Sequence, residues 1–162
     1  AKGDDSFDPT DGDATAGTAY FLTKYFKYVK KDCANDTDAA CISSKANVYK
    51  AIDGTDIGGY GGYAIQTVSG AAITGIYNGT NNCTSFIVDV NGMTGPNIAG
   101  RDVFAMDILP NGTIVDFGSG CVSGSSGAAA NTCSTSAANG SLANYAAGCL
   151  NSVMQSGWKM EY

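Results

Sequence analysis

The chain has 162 residues, of which 44% are hydrophobic, 10% aromatic and 15% charged, and its formal net charge is -6. This length suits one domain, residues 1–162, with a sizeable core. The few basic residues exclude a nucleic-acid-binding surface. No apolar run approaches the about 20 residues that cross a bilayer, so we expect a soluble chain.

The first predicted element is one wide-faced amphipathic helix over residues 16–31, AGTAYFLTKYFKYVKK. Its side chains follow helical spacing in two apolar rows and one polar row: Phe21, Tyr25 and Tyr28; Leu22, Phe26 and Val29; Lys24, Lys27 and Lys31. Aspartates before the helix and lysines in its last turns suit the helix dipole. We expect a sheet to cover the aromatic rows.

Residues 44–52, SKANVYKAI, predict a short second helix that ends at the turn signal Asp53-Gly54. The following GGYGGY favours a sharp turn into the hairpin YAIQTVSGAAITGIYN, which reverses around Ser69-Gly70. CTSFIVDV predicts a third strand. DVFAMDIL and TIVDF predict a further hairpin, joined by Pro110-Asn111-Gly112.

Residues 118–140 are too poor in large apolar side chains for a core element, so we expect a surface loop held by disulfides. A short helical segment follows in LANYAAGCLNSVMQSG, and we expect Trp158 to pack on the domain.

The cysteines are even in number and widely spaced, without a CxxC pair: Cys33, Cys41, Cys83, Cys121, Cys133 and Cys149. The chain has no histidine, which excludes a mixed Cys/His metal site. Disulfides formed in an oxidising compartment are the better interpretation. The pairing stays open, with a preference for Cys33 to Cys41 and for the others to staple the C-terminal third.

Without histidine, a serine or cysteine nucleophile has no imidazole base. Asp89, Asp102, Asp107 and Asp116 leave paired carboxylates for glycoside hydrolysis formally open, but most β-rich domains carry such aspartates. No glycine-rich segment has the phosphate-loop order. We therefore expect a protein that is not an enzyme.

The most patterned stretch is VDVNGMTGPNIAGRDVF, between two predicted strands. Its turn-forming, polar and anchoring residues are Asp89, Asn91, Gly92, Gly95, Pro96, Asn97, Gly100, Asp102 and Phe104. One interpretation is a Ca²⁺ site formed by Asp89, Asn91 and Asp102. The other, which we favour, is a crossover shaped by glycine and proline, because Gly92 stands where an EF-hand loop needs a ligand. No other cofactor is expected.

This stretch is followed by the hairpin LPNGTIVDFG and a cysteine-bearing tail that ends in GWKMEY, and it is preceded by YFLTKYFKYVKKDC. In that order the segments resemble the soluble head domain of a bacterial type IV pilin. The helix segment is similar to the distal half of the long first pilin helix. The hydrophobic N-terminal half of that helix, with its processing site, lies outside these residues, so none of its functional residues is carried over.

The resemblance implies an α+β fold, with an N-terminal amphipathic α-helix packed on a four- to five-stranded antiparallel sheet (a pilin-like roll) and a disulfide-stapled C-terminal region. It implies a structural subunit, a major or minor pilin, of an extracellular surface filament (a fimbrium) that serves adhesion or motility. The implied partners are other pilin subunits and the pilus assembly machinery. Membrane contact would come only through the missing helix, in the inner membrane before assembly.

Two alternatives stay open. One is a secreted, disulfide-rich binding module or small hydrolase that is independent of any filament. The other is a pseudopilin of a type II secretion system; some pseudopilins bind calcium in a C-terminal loop.

Overall fold

The computed structural model describes residues 14–34, 40–45, 47–78, 83–109, 111–117, 133 and 148–160. The elements, in chain order, are α1 (Ala14–Tyr25), β1 (Tyr28–Lys31), β2 (Tyr49–Lys50), β3 (Asp56–Ile57), β4 (Ala64–Thr67), β5 (Ala72–Asn78), β6 (Cys83–Asp89), β7 (Val103–Ile108), β8 (Ile114–Asp116) and α2 (Cys149–Gln155). The fold class is α+β. An antiparallel six-stranded sheet has the order β1-β4-β5-β6-β7-β8, and β2 and β3 form a separate pair.

The predicted helix over residues 16–31 is wrong in its second half. The helix ends at Tyr25, and Tyr28–Lys31 form β1, which pairs with β4 at the sheet edge. Tyrosine and valine fit a strand as well as a helix, so the free edge of β4 decides the outcome. This added edge strand also explains why the sheet has six strands rather than four or five.

The predicted helix over residues 44–52 is also wrong. Asn47 has φ 71°, a left-handed conformation that a helix does not allow, and Tyr49 begins β2. Tyr49 is fully buried, and its phenol oxygen accepts the N–H of Ser43 at 3.3 Å. The segment therefore places Tyr49 in the core as part of a short strand instead of forming a helix.

The two predicted hairpins are confirmed in the described residues. Gly70, with φ 95°, turns β4 into β5 and donates its N–H to Thr67 at 3.0 Å. Gly112, with φ 81°, does the same between β7 and β8, where its N–H is 2.8 Å from the carbonyl oxygen of Leu109. Pro110 of that turn lies outside the described residues.

Two of the buried apolar clusters involve the helices. Leu22 of α1 is fully buried with Ile65, Ile73 and Phe86. A second cluster joins α2 to β7 through side chains on both elements: Cys149, Leu150, Val153 and Phe104. In the described part of the chain, no helix is long and apolar enough to span a membrane.

Disulfides join Cys33 to Cys41, as expected, and Cys133 to Cys149 in the C-terminal third. Cys121 and the side chain of Cys83 lie outside the described residues, as does the predicted loop over 118–140 except for Cys133. The prediction that Trp158 packs on the domain is wrong, because this side chain is 72% exposed. After α2, both Gly157 and Trp158 have φ 67°, which ends the helix.

Candidate functional site

The candidate site is the segment that links β6 to β7, residues 90–102, with its flanking Asp89. Asp89 ends β6 and stands opposite Val103, the first residue of β7. The N–H of Val90 donates to the carbonyl oxygen of Asp102 at 2.8 Å, which closes the base of the segment. The linking segment is thus held at both ends by the central sheet.

Left-handed residues and one cis peptide bond shape the segment. Gly92, Asn97 and Gly100 have φ values of 60°, 52° and 88°, and the Gly95-Pro96 bond is cis. A Cβ on Gly92 would stand 3.0 Å from the carbonyl oxygen of Gly70, so the small residue is needed for the close approach of two loops.

The segment is also tied to its surroundings on two sides. Ile98 forms a parallel bridge with Lys50 of β2, and the N–H of Lys50 donates to the carbonyl oxygen of Asn97 at 3.0 Å. A Cβ on Gly100 would lie 2.7 Å from the sulfur of Cys149 and 2.8 Å from that of Cys133. The second disulfide therefore packs directly on this backbone.

Asp89 is fully buried. Its Oδ1 accepts the N–H of Asn91 at 3.3 Å, whereas its Oδ2 has no hydrogen-bond partner. Burial raises the pKa of Asp89 to about 7; the backbone N–H groups of Asn91 and Gly92 oppose this shift, and the nearby Asp102 carboxylate adds to it. Burial also raises the pKa of the Tyr49 phenol, which lies within electrostatic range of Asp89.

The remaining polar side chains of the segment divide into satisfied and unsatisfied groups. Asp102 Oδ2 accepts the N–H of Ile98 at 3.1 Å. Asn91 Oδ1 and Asn97 Oδ1 are buried without a hydrogen-bond partner. From the sequence, Asn97 is recognisable only as a turn-forming residue. Its burial could not be predicted, because burial depends on the surrounding chain.

Of the three residues predicted to bind Ca²⁺, Asp89 and Asp102 lie within electrostatic range of each other, and Asn91 donates its backbone N–H to Asp89. Within the described residues, no group of three or more His, Cys, Asp or Glu side chains is placed to hold a metal ion. A Ca²⁺ ion here would therefore need amide, backbone carbonyl or water oxygens besides the carboxylates.

The other two candidate aspartates bind their own chain. Asp107 is fully buried and accepts the hydroxyl of Ser85 at 2.7 Å. Asp116 accepts the N–H groups of Gly148 at 2.7 Å and Asn151 at 2.8 Å, which fixes the start of α2. Burial raises the pKa of Asp116, and these N–H donors oppose the shift.

A second surface of interest is the β1 edge, which we define as Tyr25, Tyr28, Val29 and Val68. Every residue of β1 is exposed, and Tyr25, Val29 and Val68 are 65%, 62% and 68% exposed. The N–H of Val68 donates to Lys27 at 3.4 Å, so the β4–β5 turn lies beside the start of β1.

Comparison with known proteins yields no match to this chain among protein families, curated proteins or solved structures.

Proposed function

We propose that this chain is the head domain of a type IV pilin-like subunit, which acts by assembling with other subunits into a bacterial surface filament. The observation that supports it most is the set of contacts between the first helix and the middle strands of an antiparallel sheet. The finer fold that we propose is accordingly a pilin-like roll, with α1 packed across the sheet.

These contacts involve both apolar and polar atoms. The Phe21 ring lies 5.4 Å from the Phe86 ring, centroid to centroid, and Leu22 is fully buried against the same strands. Thr18 donates its hydroxyl to the carbonyl oxygen of Gly75 at 3.4 Å. A Cβ on Gly75 would stand 3.0 Å from the Phe86 ring. Glycine at this position therefore makes room for the ring beneath the helix.

The β1 edge supports the assembly side of the proposal. Exposed edge strands with apolar side chains are available to other chains, and Lys30 and Lys31 on the same strand limit unspecific pairing. A repeating filament uses such a surface in every subunit, since each copy presents the same side chains to its neighbour.

The proposal assigns no catalytic role to the chain and places it outside the cell, in keeping with its disulfides. Its partners are other pilin subunits and the machinery that assembles them. We propose adhesion or motility as the role of the filament.

The genomic sequence upstream of Ala1 tests the proposal against the secreted-module alternative. We expect a short basic leader followed by about 20 apolar residues, the length that crosses a bilayer. A conventional cleavable signal peptide joined directly to this domain would overturn the filament assignment, because the subunit would then have no helix with which to enter a fibre.

A further inference from the structure

The linking segment contains three buried oxygen atoms that lack donors. Among the described residues, the buried side-chain nitrogen or oxygen atoms without a hydrogen-bond partner are Asp89 Oδ2, Asn91 Oδ1 and Asn97 Oδ1. Buried polar atoms are nearly always paired, and each unpaired one costs free energy. All three are acceptors from one short stretch of chain, so what is missing there is positive charge or a donor.

Side-chain burial rules out bulk water as the partner of two of these atoms. Asp89 is 0% exposed and Asn97 is 7% exposed. A buried carboxylate needs a compensating charge. In the described part of the chain, however, the one ion pair joins Lys50 to Asp56, and Asp89 has none.

Successive contacts bring the relevant groups to the same end of the sheet. Asn91 donates its N–H to Asp89 Oδ1 at 3.3 Å, and the Asp102 carboxylate lies within electrostatic range of Asp89. Asp102 Oδ2 in turn accepts the N–H of Ile98 at 3.1 Å, and Ile98 directly follows Asn97. Asp89, Asn91 and Asp102 are therefore linked to one another, and Asn97 lies next to the residue whose N–H Asp102 accepts.

We propose that this segment binds a hard divalent cation of the Ca²⁺ class through Asp89 Oδ2, Asn91 Oδ1 and Asn97 Oδ1. Carboxylate and amide oxygens are the ligands that Ca²⁺ takes in proteins, with water completing its shell. Asp102 adds the second negative charge beside the ion. We place Asn97 rather than Asp102 in the ligand set, because Asn97 Oδ1 is buried without a partner whereas Asp102 Oδ2 accepts the N–H of Ile98.

This inference does not rest on the proposed filament function, since it concerns the acceptors of the isolated domain. Two other occupants would satisfy the same atoms. One is a trapped water molecule, which donates two hydrogen bonds, and the other is a proton on Asp89, which turns one oxygen into a donor. If either the water molecule or the proton were the true occupant, the protein would not bind calcium.

The decisive measurement is calcium uptake by the purified domain after treatment with a chelator. Equilibrium dialysis with radioactive CaCl2 is expected to show one ion per chain. The melting temperature is expected to rise by about 5 °C or more at a free calcium concentration of about 100 times Kd.

A matched pair of variants tests the ligand set. Asn97→Gly removes the amide oxygen but keeps the left-handed backbone, which glycine adopts freely. Asn47→Gly makes the same change at another left-handed asparagine, on the exposed loop before β2. We expect Asn97→Gly to weaken calcium binding at least about tenfold and Asn47→Gly to leave it unchanged.

Asp89→Asn supplies a second test, because it should affect calcium uptake and the stability of the metal-free protein in different ways. It is expected to abolish calcium uptake while maintaining or raising the melting temperature of the metal-free protein, because an unpaired buried charge is removed. If this variant does not fold, the two asparagine variants decide alone. Absence of uptake by the wild type, or equal uptake by the wild type and Asn97→Gly, would overturn the assignment.

Discussion

The backbone of Gly100 lies against the disulfide between Cys133 and Cys149, so closely that a Cβ would stand 2.7 Å from the Cys149 sulfur. The contact joins the linking segment to the start of α2. Gly100 also has φ 88°, which disfavours any other residue on its own account.

Gly100→Ala separates these two effects when it is compared with Gly54→Ala. Gly54 has φ 87° but nothing within 4 Å of its Cβ position. We expect Gly54→Ala to lower the free energy of unfolding by about 1–2 kcal/mol, the cost of a left-handed L-residue. Gly100→Ala should cost a further about 1–3 kcal/mol from overpacking against the sulfurs. Urea unfolding of the two variants measures the difference.

Removing the sulfurs provides the control for that difference. In a background of Cys133→Ala and Cys149→Ala, the additional cost of Gly100→Ala is expected to fall because the two closest atoms are gone. An unchanged additional cost in this background would show that the disulfide is not what excludes a side chain at this position.

The buried face of α1 is tested by Leu22→Ala. Leu22 is fully buried, so we expect its truncation to lower the free energy of unfolding by about 2–5 kcal/mol. Tyr25→Ala in the same helix is the control, since Tyr25 is 65% exposed and its ring contact with Phe21 is worth about 0.5–1.5 kcal/mol. Equal losses in the two variants would contradict the proposed packing of α1 on the sheet.

The pKa of Asp116, which burial raises, predicts a pH dependence of stability. Because the pKa in the folded state is above the unfolded value, the folded state holds the proton more tightly. The stability that protonated Asp116 contributes to the folded state is therefore fully present below the unfolded pKa, about 3.9. It is lost as pH rises through the folded pKa. The charged group facing Asp116 is Asp107, which strengthens the shift.

Asp116→Asn removes this titration and is expected to flatten the corresponding part of the profile. The difference in unfolding free energy between wild type and variant should move in favour of the variant as pH rises through this window. Urea unfolding at a series of pH values gives that difference. A difference that is constant with pH, or that moves in favour of the wild type, would show that burial does not control this carboxyl group.

The β1 edge is tested by Val68→Asp, together with Ile114→Asp as a control at the opposite edge of the sheet. Both side chains are largely exposed, at 68% and 48%, so the free energy of unfolding of each variant should stay within about 0.5 kcal/mol of wild type. If the β1 edge contacts the next subunit, Val68→Asp lowers the yield of surface fibres and Ile114→Asp does not. Equal yields from both variants and the wild type would remove this edge from the assembly surface.

The hairpins were predictable from sequence because their signals are local. Ser69-Gly70 and Asn111-Gly112 mark turns, and the strands beside them are rich in β-branched and aromatic residues. The Cys33–Cys41 disulfide is the preferred pairing among those that the sequence leaves open, because the two cysteines are close in sequence. These features need no knowledge of distant partners.

The features that sequence could not supply all depend on distant contacts. Tyr28–Lys31 form a strand because β4 offers an edge, although their spacing equally suits a helix. Tyr49 is drawn into the core, and Asp116 is committed to the N–H groups of a helix that starts more than thirty residues later. Likewise, the lack of hydrogen-bond donors for the side-chain oxygens of Asp89 and Asn97 is evident only from the folded chain around them.

The filament assignment is tested most directly by identifying this chain in surface fibres sheared from intact cells. The fibres are purified and digested, and peptides of residues 102–158 are quantified by mass spectrometry against cells that lack the gene. Antibodies to the purified domain, labelled with gold, locate the chain in parallel. We predict that its peptides are enriched in the fibre fraction and that gold lies along the fibres. Recovery of the chain only as free protein in the culture medium, with unlabelled fibres, would contradict the account.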